Sequence, residues 1–568
     1  MITSDNSILK NILNLLYPHK GKVILSLTFS LIISVLCVIT PSLSRIFIDE
    51  GVLPGNISLV ATFSLFIILL SILNYILLLL QSLLHINIQN DIQLDLSCMS
   101  FNHLIKLKMK YFEENGSFTI ITSVNMAIQE ICQIANEQFL NIILELTKMI
   151  GGAIGLAILD IRLSLIVVIM LFSRFLLMKH LQNRRNGIFE KLLSTNIALS
   201  SWYSDILNGI RVIKLWNLNK SNEYCEFIKK DQSENKKYNI LLLFEDLISS
   251  IIEVLLTYSV YFVGTIFIID NSLTMGSLLA FLMYTSLVSS PVYSLVQLGY
   301  QLSKIKPAIK TFTNFLNLEE ECECIEGSSK EIPPNHINEI CFSHVCWQYE
   351  KRLVLTDVSF SISRHEKVAI IGQNGSGKST IIDLLLRFRT PSSGNILING
   401  TNILDLDLIS YRNLFSVVDQ ESFLFNSTVE ENLLSSTFPP EGANQAPQWL
   451  LQTLQGLQNG LSTIVGQDGS LLSGGEKQKV AFLRGLLKKN SKILILDEPT
   501  SNYDVESEKN FNDYITNQFS YDYIIVVTHR PDILKKMDKI IILSEGKVVR
   551  VGTYDELSQE NLLSKYLD

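Results

Sequence analysis

The sequence predicts an all-α transmembrane domain of six helices followed by an α/β domain of the P-loop type, and three observations carry that prediction. Uncharged apolar stretches fill the early part of the chain: no side chain is charged from Val23 to Ser44, nor from Gly51 to Asn90. The run NLEEECECIEGSSKEIPPNH, Asn317 to His336, is acidic, poor in apolar residues and closes near Pro333 and Pro334, which marks a boundary. Beyond it, KVAIIGQNGSGKSTIID, Lys367 to Asp383, sets a short apolar run ahead of a glycine-rich loop and a helix start. The expected division is a membrane domain over 1–316, a linker over 317–336 and a nucleotide-binding domain over 337–568.

A chain of 568 residues exceeds what one hydrophobic core supports. With 47% hydrophobic and 18% charged residues, a lipid-embedded portion is expected. A formal net charge of −8 argues against a nucleic-acid partner, which would require a broad basic face. The 8 cysteines lack the dense spacing of a disulfide framework, and Cys322 and Cys324 have no second pair at zinc-site spacing. The first residues, MITSDNSILKNILNLLYPHKGK, form an amphipathic pattern unlike a signal peptide, so no cleavage is expected.

Six spans are predicted at about 23–48, 57–85, 140–159, 163–180, 247–269 and 273–302, each compatible with the ~20 residues of a bilayer crossing. Glu145, Lys148, Arg174 and Glu253 interrupt the third, fourth and fifth. Arg174 stands near a span end, from which a long side chain can snorkel to the interface. Lys and Arg concentrate before span one, between two and three (Lys106, Lys108, Lys110) and between four and five (Arg184, Arg185, Lys191, Arg211 among others). Those segments are therefore expected in the cytoplasm, with both termini. The long connections between them, about 87–136 and 179–245, repeat apolar residues at helix spacing and extend the spans as helices.

In the last third, Val368 to Ile371 suits a buried strand, Gly372, Gly375 and Gly377 permit a tight loop, and STIIDLLLRF starts a helix. In Gly372-Gln373-Asn374-Gly375-Ser376-Gly377-Lys378-Ser379-Thr380, backbone N–H groups suit phosphate oxygens, Lys378 reaches the β and γ phosphates, and Ser379 suits Mg²⁺. KILILDEPT reads as a central parallel strand delivering Asp497 and Glu498 to its carboxyl edge, where ligands bind in α/β sheets. Asp497 would support the Mg²⁺ shell and Glu498 would orient the attacking water. YIIVVTH brings His529 to the same edge. Ser473-Gly474-Gly475-Glu476 satisfies a capping box, and its two glycines also let a phosphate approach a helix N-terminus.

The order of GQNGSGKST, VVDQESFLF, LSGGE, ILILDEPT, SNYD and VVTHR resembles the nucleotide-binding domain of ATP-binding cassette (ABC) transporters. Upstream, FEENGSFTIITSVN, LNGIRVIKLW and LTMGSLLAFLMYTSLVSSPVYSL resemble the membrane half of the exporter type, so the likeness spans essentially the whole chain. The resemblance implies that Tyr349 stacks on adenine, Gln420 joins Mg²⁺ and the attacking water to the membrane domain's movement, Glu498 is the general base and His529 contacts the γ-phosphate. It implies that Ser473, Gly474, Gly475 and Glu476 act in trans on a partner's ATP, with Asp504 beside them, in a homodimer. Thr463 to Ser470 matches the loop that touches the cytoplasmic helices, and short docking helices are implied near Glu114 to Ser123 and Ser201 to Asn208. Asp419, Gln467 and Asn502-Tyr503 depart from the commonest family pattern without removing a catalytic group.

The implied activity is ATP-driven export of an amphipathic or hydrophobic substrate (peptide, lipid or drug) by an integral protein of the bacterial inner membrane, with ATP and Mg²⁺. A lipid flippase, an ATP-gated channel and a non-transport membrane ATPase are the alternatives. Membrane lipid, a second copy of the chain and a small amphipathic substrate are the expected partners, without nucleic acid. Glu145 and Lys148, three apart, read either as a structural ion pair or as cavity residues. Glu253 has no local partner and is a candidate substrate residue. No cysteine-peptidase segment precedes the first span, so leader cleavage is not expected of this chain.

Overall fold

The computed structural model describes residues 16–115, 117–132, 142–321, 337–349, 352–434, 447–488, 491–517 and 521–565. Its contacts divide the chain into two compact units: Met1–Lys106 with Asn115–Leu318, and Leu107–Glu114 with Glu319–Asp568. Most of the predicted linker, including Cys322 and Cys324, falls outside the described residues.

The first unit is all-helical. α1 (Lys20–Ile46) ends in a π-helical turn at Phe47–Val52, and α2 (Ile57–Leu104) follows. α3 (Met109–Asn115) groups with the second unit up to Glu114, and the first unit continues with α4 (Ser117–Cys132), α5 (Ile142–Leu159), α6 (Ile161–Asn208), α7 (Ile210–Leu215), α8 (Ser221–Ile269) and α9 (Met275–Leu316). Six of these, α1, α2, α5, α6, α8 and α9, are long and apolar enough to cross a membrane. Their burial runs opposite to that of a water-soluble bundle: Leu65, Phe66, Ile68 and Leu69 on α2 point outward, whereas Ser26, Ser30, Gln81 and His85 are buried between α1 and α2. There the Ser26 hydroxyl and His85 Nε2 lie 2.6 Å apart, and Gln81 Nε2 donates to Ser30 Oγ at 2.8 Å, joining the helices through hydrogen bonds where apolar burial drives nothing.

Short residues let the helices close. Gly151, Gly152 and Gly155 put α5 against its neighbours, and a Cβ on Gly155 would sit 2.6 Å from the Tyr284 ring. The Tyr284 hydroxyl donates to Val38 O at 2.9 Å and shares a 2.7 Å hydrogen bond with Ser42, tying α9 to α1. At the far end Asp49 accepts from Thr274 Oγ1 at 2.6 Å and from Gly276 N at 2.9 Å.

The sequence reading needs correction at two points in this unit. Arg174 does not snorkel; it is 4% exposed and donates to Ser289 and Ser249. The partner of Glu253 is not a local one: Arg174 reaches it at 3.5 Å from another helix, α6, which no local pattern could reveal. Ser201–Asn208 forms no separate short helix but the end of α6, and the short helix is α7, after Gly209. The stretch Glu114 to Ser123 crosses the break between α3 and α4, and residue 116 lies outside the described residues.

The second unit is α/β. A four-stranded antiparallel sheet in the order β2-β1-β4-β5 contains β1 (Glu339–Tyr349), β2 (Arg352–Ser363), β4 (Ser393–Ile398) and β5 (Thr401–Asn402). A six-stranded sheet in the order β10-β9-β3-β8-β7-β6 contains β3 (Lys367–Gly372), β6 (Phe415–Val418), β7 (Ile493–Asp497), β8 (Tyr523–Val527), β9 (Lys539–Ser544) and β10 (Lys547–Gly552). Only β10 runs antiparallel in it. β3 and β8 are almost wholly buried, as expected of parallel strands covered on both faces. One face packs on α10 (Lys378–Leu385) and the smaller sheet, where Phe342 and Phe360 stack at 4.4 Å. α11 (Leu408–Asn413), α12 (Val429–Leu434) and α13 (Gln448–Gln455) follow in the chain, and α14 (Gly474–Leu487) and α15 (Val505–Asn517) help to cover the other face.

Candidate functional site

β3 ends at Gly372, and the chain turns through Gln373–Ser376 into α10. The turn needs its glycines: Gly375 and Gly377 have φ of +79° and +103°, and a Cβ on Gly372 would lie 2.3 Å from Leu543 O. Lys378 curls back over the loop, its Nζ donating to Gly372 O at 2.6 Å and to Gln373 O at 3.2 Å. Burial pushes its pKa down, while Glu498 and Asp497 pull it up, so the ammonium stands ready for an anion. Ser376 is 4% exposed and its hydroxyl has no hydrogen-bond partner. A left-handed glycine loop, a partly desolvated lysine and an unpaired buried hydroxyl fit a polyphosphate. Ser379, Thr380, Gln373 and Asn374 belong to the same turn and first helical residues.

β7 carries Asp497 and Glu498 to the same edge. Glu498 adopts φ +44°, a left-handed conformation that a β-carbon disfavours, with its N–H on Val527 O at 2.9 Å. That backbone turn aims its carboxylate at two side chains from the loops that follow β6 and β8: Gln420 Nε2 donates to Oε2 at 3.1 Å, and His529 Nε2 lies 3.9 Å from Oε1. Gln373, Asn374, Gln420, Glu498 and His529 thus line one polar cavity of about 670 Å³. Ser501 lines it too, together with Thr500, Thr528 and Arg530; hydroxyl residues beside strand ends are too common for the sequence reading to have singled these out.

Behind the cavity lies a concentration of negative charge. Burial, then Glu498 and Asp419, push Asp497 up to about 6, against the pull of Lys378. Burial and Asp383 push Asp419 up as well, with Arg484 opposing. Carboxyls crowded in this way favour a cation that neutralises them, and the donor set of Asp497, Ser379 and Gln420 is all oxygen, as Mg²⁺ requires.

The other predicted residues stand apart from this cavity. Tyr349 is exposed at the end of β1, 6.3 Å from Trp347. Ser473 caps α14 in a reciprocal capping box with Glu476, its Oγ accepting from Glu476 N at 3.3 Å while Glu476 Oε2 accepts from Ser473 N at 2.8 Å. Gly474 and Gly475 lie against Asn502, where a Cβ on Gly475 would come within 2.7 Å of Asn502 O. Asp504 caps the start of α15 through Ser507 N at 2.7 Å. Tyr503, unusual at its position, is buried against Trp449 and Phe511. Lys477 of α14 donates to Asp468 at 2.9 Å, tying the Thr463–Ser470 loop to the same helix.

Residues 23–292 match the ABC transporter transmembrane region and residues 355–501 the ABC transporter domain. An ATP-dependent lipid A-core flippase of Thiobacillus denitrificans is 26% identical over 554 residues, covering 95% of this chain and 94% of that protein. The lactococcin-A transport/processing ATP-binding protein LcnC of Lactococcus lactis subsp. lactis is 28% identical over 82% of this chain, which spans 66% of that protein's length. Among solved structures, a bacterial Atm1-family ABC exporter with ATP bound superposes with a TM-score of 0.84 at 21% identity, covering 96% of this chain and 98% of that one. Six membrane-length helices, a phosphate-type loop facing a strand-end glutamate and these matches together place the chain in the ABC transporter family, with the membrane region fused ahead of the ATP-binding domain.

Proposed function

We propose that the chain is half of an ATP-driven exporter of an amphipathic or hydrophobic substrate, working as a homodimer in the bacterial inner membrane with both termini in the cytoplasm. The observation that carries the reading is Glu498, held in a left-handed turn and bonded to Gln420 beside the phosphate-type loop. Its carboxylate accepts a proton from a water molecule and orients it for in-line attack. Lys378, Ser376 and the Gly372–Gly377 amides hold the phosphates, and His529 steadies the γ end of the site. Ser379, Asp497 and Gln420 would hold Mg²⁺, which supplies neutralisation of charge developing on the phosphate oxygens.

The capping-box end of α14 lies outside the cavity, so Ser473 and Gly475 are assigned to the ATP of a second copy, and Tyr349 to the adenine. Lys and Arg crowd the segments between spans two and three and between four and five, which supports the orientation. The lipid A-core flippase and lactococcin-A transport/processing relatives support an amphipathic cargo, and a flippase of the same architecture is contained in this reading. The test is ATPase activity of the purified protein in lipid nanodiscs with candidate lipids, peptides and amphipathic drugs. Stimulation by one cargo class that vanishes in Glu498→Gln supports export; turnover that survives in Glu498→Gln overturns it.

A further inference from the structure

All six membrane-length helices carry a polar or ionisable side chain at one depth. Counted at about 1.5 Å per residue from the ends joined by short turns, with the π-helical turn to Val52 included in α1, Cys37 (α1), Asn74 (α2), Glu145 (α5), Arg174 (α6), Glu253 (α8) and Ser289-Ser290 (α9) lie roughly 20–25 Å in. Glu145, Ser289-Ser290, Arg174 and Glu253 form one connected band, and Cys37 and Asn74 form a separate pair. Cys37 Sγ donates to Asn74 Oδ1 at 3.9 Å, Lys148 Nζ to Glu145 Oε1 at 3.2 Å, and Ser290 Oγ to Glu145 Oε2 at 3.2 Å. Arg174 donates to Ser289 Oγ and Ser249 Oγ, each at 2.5 Å, and to Glu253 Oε2 at 3.5 Å. Because Ser289 and Ser290 are consecutive, the two ion pairs meet on adjacent residues of α9.

The band is built unlike a purely structural pair. A stable buried Arg–carboxylate contact is short and bidentate, yet Arg174 directs its close bonds to two neutral hydroxyls. Its Nε–H has no acceptor, and the side chain is 4% exposed. The Glu253 carboxylate, one long contact away, stays 53% exposed. A half-exposed carboxylate at hydrocarbon depth must face a water-filled or protein-lined space rather than lipid chains. Glu145 and Lys148 are each 18% exposed. Two carboxylates and two cations sum to no net charge, so a ligand of net charge would leave one charge uncompensated in a low-dielectric setting. A headgroup that carries one ammonium and one anionic group would not.

We propose that this band is the headgroup site of the exported amphipath and that the headgroup is zwitterionic, its ammonium taken by Glu253 and its anion by Lys148. The inference rests on the export reading and narrows its substrate class. A phospholipid-type headgroup and an unblocked peptide share this chemistry, and the test separates them.

The protein is reconstituted in phosphatidylglycerol nanodiscs, which contain no zwitterionic lipid, and ATPase stimulation is titrated in two arms. One arm compares lysophosphatidylethanolamine with lysophosphatidylglycerol of the same chain. The other compares an apolar peptide with free termini against its acetylated, amidated form. The expected result is a half-maximal concentration about tenfold lower for the zwitterion in at least one arm, the size of one hydrogen bond to a charged group. Whichever arm shows the preference identifies the source. Glu253→Gln should erase the preference, and Ser290→Ala, which removes a single hydroxyl donor to Glu145, should weaken it; binding of a fluorescent ATP analogue checks that each variant is folded. Equal half-maxima in the unaltered protein, no stimulation in either arm, or a preference that survives Glu253→Gln overturns the headgroup site. The export reading fails separately, if turnover is insensitive to Glu498→Gln.

Discussion

Glu498 shows how much chemistry one backbone angle can set. At φ +44° its side chain leaves the strand line of β7 and meets Gln420 and His529, which come from other parts of the unit. Glu498→Gln keeps the shape and removes the proton acceptor. It should retain ATP binding while lowering turnover about 10²–10⁴-fold, read as nucleotide affinity against steady-state phosphate release. Asp497 gives a second prediction. Its folded pKa of about 6 lies above the ordinary 3.8, so its contribution to stability is full below about pH 4 and is lost as pH rises through 6. In chelator and without nucleotide, thermal unfolding should show that loss between about pH 4 and 6.5, and Asp497→Asn should flatten it. The Asp497, Glu498 and Lys378 positions were legible because each stands in a short pattern joined to a strand end. The Arg174–Glu253 contact was not: its partners are on separate helices with |i−j| of 79, and nothing in either neighbourhood records the other.

At the scale of elements, the six spans were legible because a bilayer demands length and apolarity, both of which are written locally. How the spans close on one another was not, since it depends on which glycine meets which ring. Gly155→Ala should cost about 1–3 kcal/mol, because the new Cβ would lie 2.6 Å from Tyr284, whose hydroxyl bonds to Val38 and Ser42. Gly187→Ala on α6 meets nothing within 4 Å and should leave stability unchanged or raise it. Thermal denaturation in detergent compares the two. The short helix falls after Ser201–Asn208 rather than on it for a related reason. Residues with good helix spacing continue through Ser201–Asn208, and only Gly209, whose N–H closes the helix on Asp205 O at 2.9 Å, separates α7.

For the whole molecule, the composite-site reading makes a prediction that no single chain can satisfy. Lys378→Ala should silence the phosphate-loop side and Gly475→Asp the α14 side, so either variant alone should be inactive. When the two are co-expressed and the mixed dimer is purified through two tags, one site holds both lesions and the other holds none. About half of the normal ATPase rate should return, whereas sites completed within one chain would give no recovery. A different whole-molecule consequence follows from the grouping of Leu107–Glu114 with Glu319–Asp568. Leu107 bridges to Glu320, and Arg389, set over the Trp347 ring at 4.6 Å, binds both Asp383 on α10 at 2.9 Å and Glu113 at 2.8 Å. An excised fragment beginning at residue 337 would therefore be an amputated object. It would lack a peptide encoded more than two hundred positions upstream, and supplying that peptide as a separate synthetic strand would be a form of fragment complementation.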